Sequence, residues 1–262
     1  MLVTTLSLPD KVCGKIVWLA MAVMVSSRLW LGGVTSITRD RAITDKLLLL
    51  VRDCALIAPL LVCVDGLASY PKSIRRAFRE KVARQPGERG RSRLTEWPKL
   101  VIGVVIKRTS GLGHQLVEVE RKVAFGSAVD VATQISRSRG GTGINTSFIE
   151  RFNATLRERL GSLTRKCRRA AHKAETLHHG MYLVGTSYNF CTPHDELRVR
   201  QTETSGKRKR VWFLRTPAMA AGLTDHIWDM AELLNYKVKP IPPTPPKRRG
   251  RPAKKQVNAL TT

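Results

Sequence analysis

Two carboxylates stand out by type and setting. Asp65 lies in "LLVCVDGLASYP" (60–71), and Glu150 lies in "NTSFIERFNATLRERLGSLTRK" (145–166). Asp65 closes an apolar run that reads as a buried strand, with a glycine and a short loop after it. Glu150 falls in the first turn of the longest helical stretch. Each has an ordinary explanation: an Asp that starts a turn, and an acid that complements a helix dipole. Together they suggest more, because a strand-terminal Asp and a helix-borne Glu can converge at one edge of a mixed sheet. Hard divalent cations take carboxylate oxygens, with water and phosphate completing the shell. Two such ions can activate an attacking oxygen and stabilise the leaving one in phosphoryl transfer. Asn153 and Arg157 follow Glu150 at three and seven residues and share its helix face. Arg157, Arg159, Arg165, Lys166, Arg168 and Arg169 form a basic run next to the acid. Charge runs are usually solvated faces, but one sign beside a candidate site favours phosphate contact.

The composition agrees with a polyanionic partner. The 262 residues carry 46 Lys plus Arg against 20 Asp plus Glu, a formal charge of +26. Such an excess self-repels in a compact fold. Nucleic acid rewards it, because every neutralised phosphate releases counterions. The five cysteines, Cys13, Cys54, Cys63, Cys167 and Cys191, contain no Cys-x-x-Cys pair. They argue against a disulfide framework or a zinc ribbon and read as buried small hydrophobes. The apolar stretches 16–25 and 47–64 are too short or too charged for a spanning helix of about 20 apolar residues. No membrane partner and a cytoplasmic location are expected.

The elements that must hold the acids can be read from patterning. Residues 15–37 read as a hairpin, 40–54 as a helix capped by Asp40, and 60–64 as a central strand. "SYPKSIRRAFREKVA" (69–83) reads as a helix, and "PKLVIGVVIKR" and "HQLVEVERKVAFG" as two strands. Residues 136–147 read as a flexible basic loop. In the long helix 148–167, Phe148, Phe152, Leu156, Leu160 and Leu163 form one apolar face. A further helix is expected over 170–188, a charged loop over 200–210, and a disordered Pro-rich, basic tail from Pro240. The fold class is α/β, a mixed sheet flanked by helices.

"VDGLASYP", "NTSFIERFNATLRERLGSLTRK", "YNFCTPHDELR" and "RTPAMAAGLTDHIW" together resemble bacterial insertion-sequence transposases of the DDE class. The resemblance runs from about residue 15 to 234. It implies a ribonuclease-H-like integrase core over 15–199, after a short lead (1–14) and before an extension (200–239) and a tail (240–262). It implies three carboxylates holding Mg²⁺ or Mn²⁺: one ending the first strand, one ending a central strand, and a Glu on a later helix. Asp65 matches the second and Glu150 the third; Met24 stands where the resemblance places the first. A thioether is soft and uncharged and does not bind Mg²⁺. The activity implied is transposition, a DNA recombination in which water frees a 3′-hydroxyl that then attacks target DNA. With one ligand of three lost, metal binding and strand transfer are expected to be impaired. The implied partners are transposon ends, target DNA and further copies of the chain. Related transposases carry an upstream end-recognition segment, so the chain reads as N-terminally truncated.

The alternative is a catalytically dead DNA-binding relic or a regulator of transposition. A membrane-surface protein ranks last, because no basic amphipathic helix carries an aromatic face. In the tail, Arg249-Gly250-Arg251-Pro252 is like an AT-hook, whose extended Arg-Gly-Arg core can enter a narrow A·T minor groove. The resemblance implies a structural or DNA-positioning role for His194. His172, His178 and His179 read as surface residues of a helix, and the tryptophans as core or edge packing.

Overall fold

The structure is a computed structural model that describes residues 2–12, 15–83, 89–111, 116–163, 171, 173–201 and 211–238. Its centre is a six-stranded mixed sheet. Strands β1 (Leu2–Val12), β2 (Lys15–Val23) and β3 (Trp30–Ser36) run antiparallel in sequence. Helix α1 (Arg41–Asp53) then crosses to β4 (Leu60–Asp65), which pairs parallel with β1. Helix α2 (Tyr70–Ala77) follows, then a small ribbon of β5 (Arg79–Lys81) and β6 (Leu94–Glu96). Strand β7 (Leu100–Thr109) lies parallel to β4, and β8 (Leu116–Phe125) turns back antiparallel. The strand order is β3-β2-β1-β4-β7-β8. Helices α3 (Ala128–Ser138), α4 (Ser147–Arg159) and α5 (Ala174–Cys191) follow; a single 3₁₀ turn, Gly161–Leu163, comes after α4. The hairpin β9 (His194–Gln201) and β10 (Val211–Arg215) and two short helices, α6 (Pro217–Ala220) and α7 (Met230–Asn235), complete the described chain.

Period-2 alternation sends the strand side chains to two faces. Ala20, Ala22, Val62, Val64, Ile102 and Val104 pack under α1 and α2. Leu19, Met21, Val23, Cys63, Val101 and Val105 pack under α3, α4 and α5. Parallel strands covered on both faces explain why 60–64 and 101–106 are almost wholly apolar. Asp40 caps α1 as its sequence suggests, its carboxylate accepting from the Ala42 and Ile43 amides at 2.9 and 3.3 Å.

Residues 2–12 of the expected short lead instead form β1, one of the two central strands of the sheet. Pro9 and Asp10 hide it: proline breaks the alternation and cannot donate to a ladder. The structure accommodates them where the β1–β2 register shifts, between Ser7 and Lys11. Three further expectations change. Helix α2 stops at Ala77 rather than at 83. Residues 136–138, expected to open a loop, instead close a helix over Ala128–Ser138 that is capped by Ser127. Helix α4 ends at Arg159, where Leu160 turns extended ahead of Gly161, so Leu160 and Leu163 lie beyond it. Of the cysteines, Cys63 is buried, Cys191 is half-buried and Cys54 is exposed; Cys13 and Cys167 fall outside the described residues.

Helix α5 is seated on β3 by two close approaches. A Cβ at Gly33 would lie 2.7 Å from the Met181 sulfur, and one at Gly185 would lie 2.2 Å from the Trp30 ring. Trp30 in turn stacks on Phe152 of α4, with ring centroids 6.0 Å apart. Asn189 adds a polar lock: Trp30 N–H donates to its Oδ1 at 2.9 Å, and its Nδ2 donates to the Trp30 carbonyl at 2.9 Å. All four atoms are buried, so removing the amide strands two backbone groups. Asn189→Ala is expected to lower stability by about 1–3 kcal/mol for each group left unpaired. A urea midpoint for Asn189→Ala that matches the parent would contradict this role.

Candidate functional site

The sheet brings the two acids to the same face. Asp65 is the last residue of β4, two past Cys63, so it points to the side that carries α4. Its register partner on β7 is Val105. Lys107, two residues further on, keeps the same face and reaches Glu150: Lys107 Nζ donates to Glu150 Oε1 at 2.5 Å. The strand spacing and rise put the Asp65 and Lys107 backbones about 8 Å apart. One ion pair therefore links the end of β7 to α4, beside the end of β4.

Each carboxylate is already engaged. Asp65 Oδ1 accepts from the Leu67 amide at 3.1 Å, which closes the turn into α2. Asp65 Oδ2 faces Arg39 Nη2 at 3.8 Å. Arg39 leads into α1 and also lies over the Trp18 ring at 5.0 Å. Glu150 Oε1 accepts from Thr146 Oγ1 at 2.6 Å as well as from Lys107. Thr146 is the N-cap of α4, so Glu150 also ties down the start of its own helix. Both members of the Lys107–Glu150 pair are more than 40% exposed, so water screens it and it contributes no more than about 1 kcal/mol. Its importance is steric and electrostatic: a cation of the chain sits where Glu150 would receive another.

Met24, where the resemblance places its first acid, does not lie level with Asp65. Met24 follows the end of β2 in the hairpin turn and is 43% exposed. Val23 is level with Leu2 and Leu2 with Cys63, so Met24 lies three residues behind Asp65 and two strands away. That is about 10 Å along the strands and about 10 Å across them. The position level with Asp65 on the adjoining strand is Thr4, one step on from the Val3–Val64 pair. Asp10 lies six residues further along β1, about 20 Å away.

Mg²⁺ would need a set of oxygen donors. Among the described residues, no three His, Cys, Asp or Glu side chains cluster in a way that could hold a metal. Thr4 supplies no carboxylate, and Lys107 and Arg39 neutralise Glu150 and Asp65. The residues present do not fit a divalent metal centre of the three-acid kind.

The other expected contact residues separate. Asn153 is 6% exposed, and its Oδ1 has no hydrogen-bond partner among the described residues, so it is a core residue of α4 and not an open phosphate contact. Arg157 stays on the Glu150 side of α4, two turns on. Arg159 turns to the other side and donates to Thr192 Oγ1 at 2.9 Å. Arg165, Lys166, Arg249 and Arg251 lie outside the described residues. Sequence reading missed Lys107. Its signal was the alternation Val101, Gly103, Val105, Lys107, which carries a cation onto the face of the acids.

His194 starts β9, its ring edge-on to Tyr188 at 5.2 Å. Burial, then Arg28 and Arg151, push its imidazole below the ordinary range, against the opposing pull of Asp195 and Glu196. The unfolded imidazole takes a proton near pH 6.5. The folded state therefore loses stability as pH falls through that value toward the lower folded one, and none of this contribution changes above it. His194→Gln is expected to remove this acid-side loss, visible as a flatter urea midpoint between about pH 7 and pH 5. A parent and variant with parallel pH profiles would refute it.

The chain matches no protein-family model, and no curated protein and no solved structure matches it. No helix among the described residues is long and apolar enough to cross a membrane.

Proposed function

We propose that the chain is a transposase-type DNA-binding protein, with a ribonuclease-H-like core, that grips duplex DNA without cutting it. The observation that carries this is the shared face of Asp65 and Glu150, closed by Arg39 and Lys107. Support for the core comes from its layout: an acid ending a central strand, and a Glu on a later helix packed over the same face. Support for DNA comes from the +26 charge. Support for the lack of cleavage comes from the donor set, two cation-paired acids with Thr4 level with Asp65. A protein of this kind occupies transposon ends or target DNA and competes with active copies, which makes it a regulator of transposition. Fluorescence anisotropy with a labelled duplex tests the reading: binding should be at least as tight in EDTA as in Mg²⁺, which only competes as a counterion. Binding that requires Mg²⁺ would overturn it.

A second reading keeps the Mg²⁺-dependent cleavage and strand transfer that the resemblance implies. The common face of the two acids favours it. It requires Lys107 to leave Glu150 and a further donor to join Asp65.

A further inference from the structure

A separate cleft lies on the opposite edge of α4 from Glu150. Phe148, Arg151 and Thr155 form one side of it, the β2–β3 turn another, and Tyr188 of α5 with His194 of β9 the floor. Its enclosed part holds ≈ 30 Å³, room for about one water, and its mouth is open to solvent. The polar groups that line it are underused. Arg28 sits 3.8 Å above the Phe148 ring and donates to the Val25 carbonyl of its own turn. Among the described residues, neither Arg28 nor Arg151 has a carboxylate within ion-pair distance; Glu196 is the acid that acts on Arg28 from further away. The Tyr188 hydroxyl and the His194 ring nitrogens make no hydrogen bond among the described residues. Burial pushes the Tyr188 phenol up to about 12, so it remains a neutral donor.

Arg28 also holds a costly backbone conformation. Its φ is +62°, the left-handed region in which a non-glycine residue is strained. Glycine or asparagine would fill this turn more easily. The arginine places a planar, weakly hydrated cation over an aromatic ring, with further N–H donors left for an oxygen-rich anion. Arg151 approaches from the helix, and Tyr188 and His194 supply neutral polar contacts beneath.

We propose that the cleft between Arg28, Arg151, Tyr188 and His194 binds a phosphate group. Two guanidinium groups supply the charge opposite to a phosphate, and the phenol adds a neutral O–H donor to its oxygens. The phosphate is either a backbone group of a DNA strand, which rests on the DNA-binding reading above, or a free phosphate, which does not. On the first source, α4 carries acids and their cations on one edge and a backbone grip on the other.

The test uses the full chain and two probes, inorganic phosphate at constant ionic strength and a duplex oligonucleotide. The His194 ring signals and the Arg28 Nε–H signal should shift saturably with phosphate. Arg151→Gln, on an exposed helix position, and Arg28→Gln should each weaken phosphate by about 10-fold or more. If DNA is the source, each variant also lowers duplex affinity and makes the slope of log K against log salt shallower by about 1. If phosphate binding falls while duplex affinity holds, the cleft takes a free phosphate. If the duplex does not bind at all but phosphate does, the DNA reading fails and the cleft stands. No phosphate shift in the parent, or equal phosphate affinity in the parent and Arg151→Gln, overturns the proposal.

Discussion

Raising salt from 50 to 200 mM is expected to weaken duplex binding by about 10³-fold or more, the loss typical of six to ten phosphate contacts. The formal charge of +26 is the origin of this steepness. Among the described residues Arg39, Arg41, Arg52, Arg75, Arg76, Arg79, Lys107 and Arg108 lie within ion-pair distance of a carboxylate, and several of them share one acid. With more than twice as many basic as acidic residues, most positive charge has no counter-charge of its own. The loss should be similar for unrelated duplex sequences, because phosphate contacts carry no base information. Equilibrium titration at four or more salt concentrations measures the slope. A slope near zero would show that the charge is not a DNA surface.

Gly185→Ala is expected to be strongly destabilising. The new Cβ would lie 2.2–2.6 Å from three atoms of the Trp30 indole. The indole cannot step aside. It is stacked on Phe152, set edge-on to Tyr182 at 5.0 Å, and its backbone is held by Asn189. Overpacking of this kind costs about 1–3 kcal/mol and occasionally more. For a chain of this size that is a fall in melting temperature of about 2–4 °C per kcal/mol. The damage reaches the site, because Trp30 joins α5 to α4, the helix that carries Glu150. Trimming the ring should recover part of the loss, so Gly185→Ala with Trp30→Leu should show strong coupling in a double-mutant cycle. Additive effects would mean that the two residues are not in contact.

Much of this scaffold is legible in the sequence, for a physical reason. Strands β4 and β7 are covered on both faces and so read as unbroken apolar runs. Helix α1 advertises its start through Asp40. Glu150 and Asp65 can be picked out because a carboxylate at the edge of an apolar element is conspicuous. The misses have equally physical causes. Strand β1 carries Pro9 at a register shift, so its pattern looks like a loop although it lies at the centre of the sheet. Leu2 pairs with both Val23 and Cys63, so Thr4 of β1, and not Met24 of the β2–β3 turn, lies level with Asp65. Asn153 looks like a contact residue by spacing from Glu150, but α4 is rotated so that it faces the core. The pairings of Glu150 with Lys107 and of Asp65 with Arg39 depend on strand register and on the approach of α1, which no local pattern encodes.

On the proposed reading, these pairings separate a working nuclease site from a closed one. Supercoiled plasmid incubated with the unaltered chain and Mg²⁺ or Mn²⁺ tests this most directly, with Asp65→Ala as the control. The plasmid is expected to stay closed at protein concentrations that fully bind it, and Asp65→Ala is expected to behave the same way. Metal-dependent nicking or joining by the unaltered chain, abolished by Asp65→Ala, would contradict it.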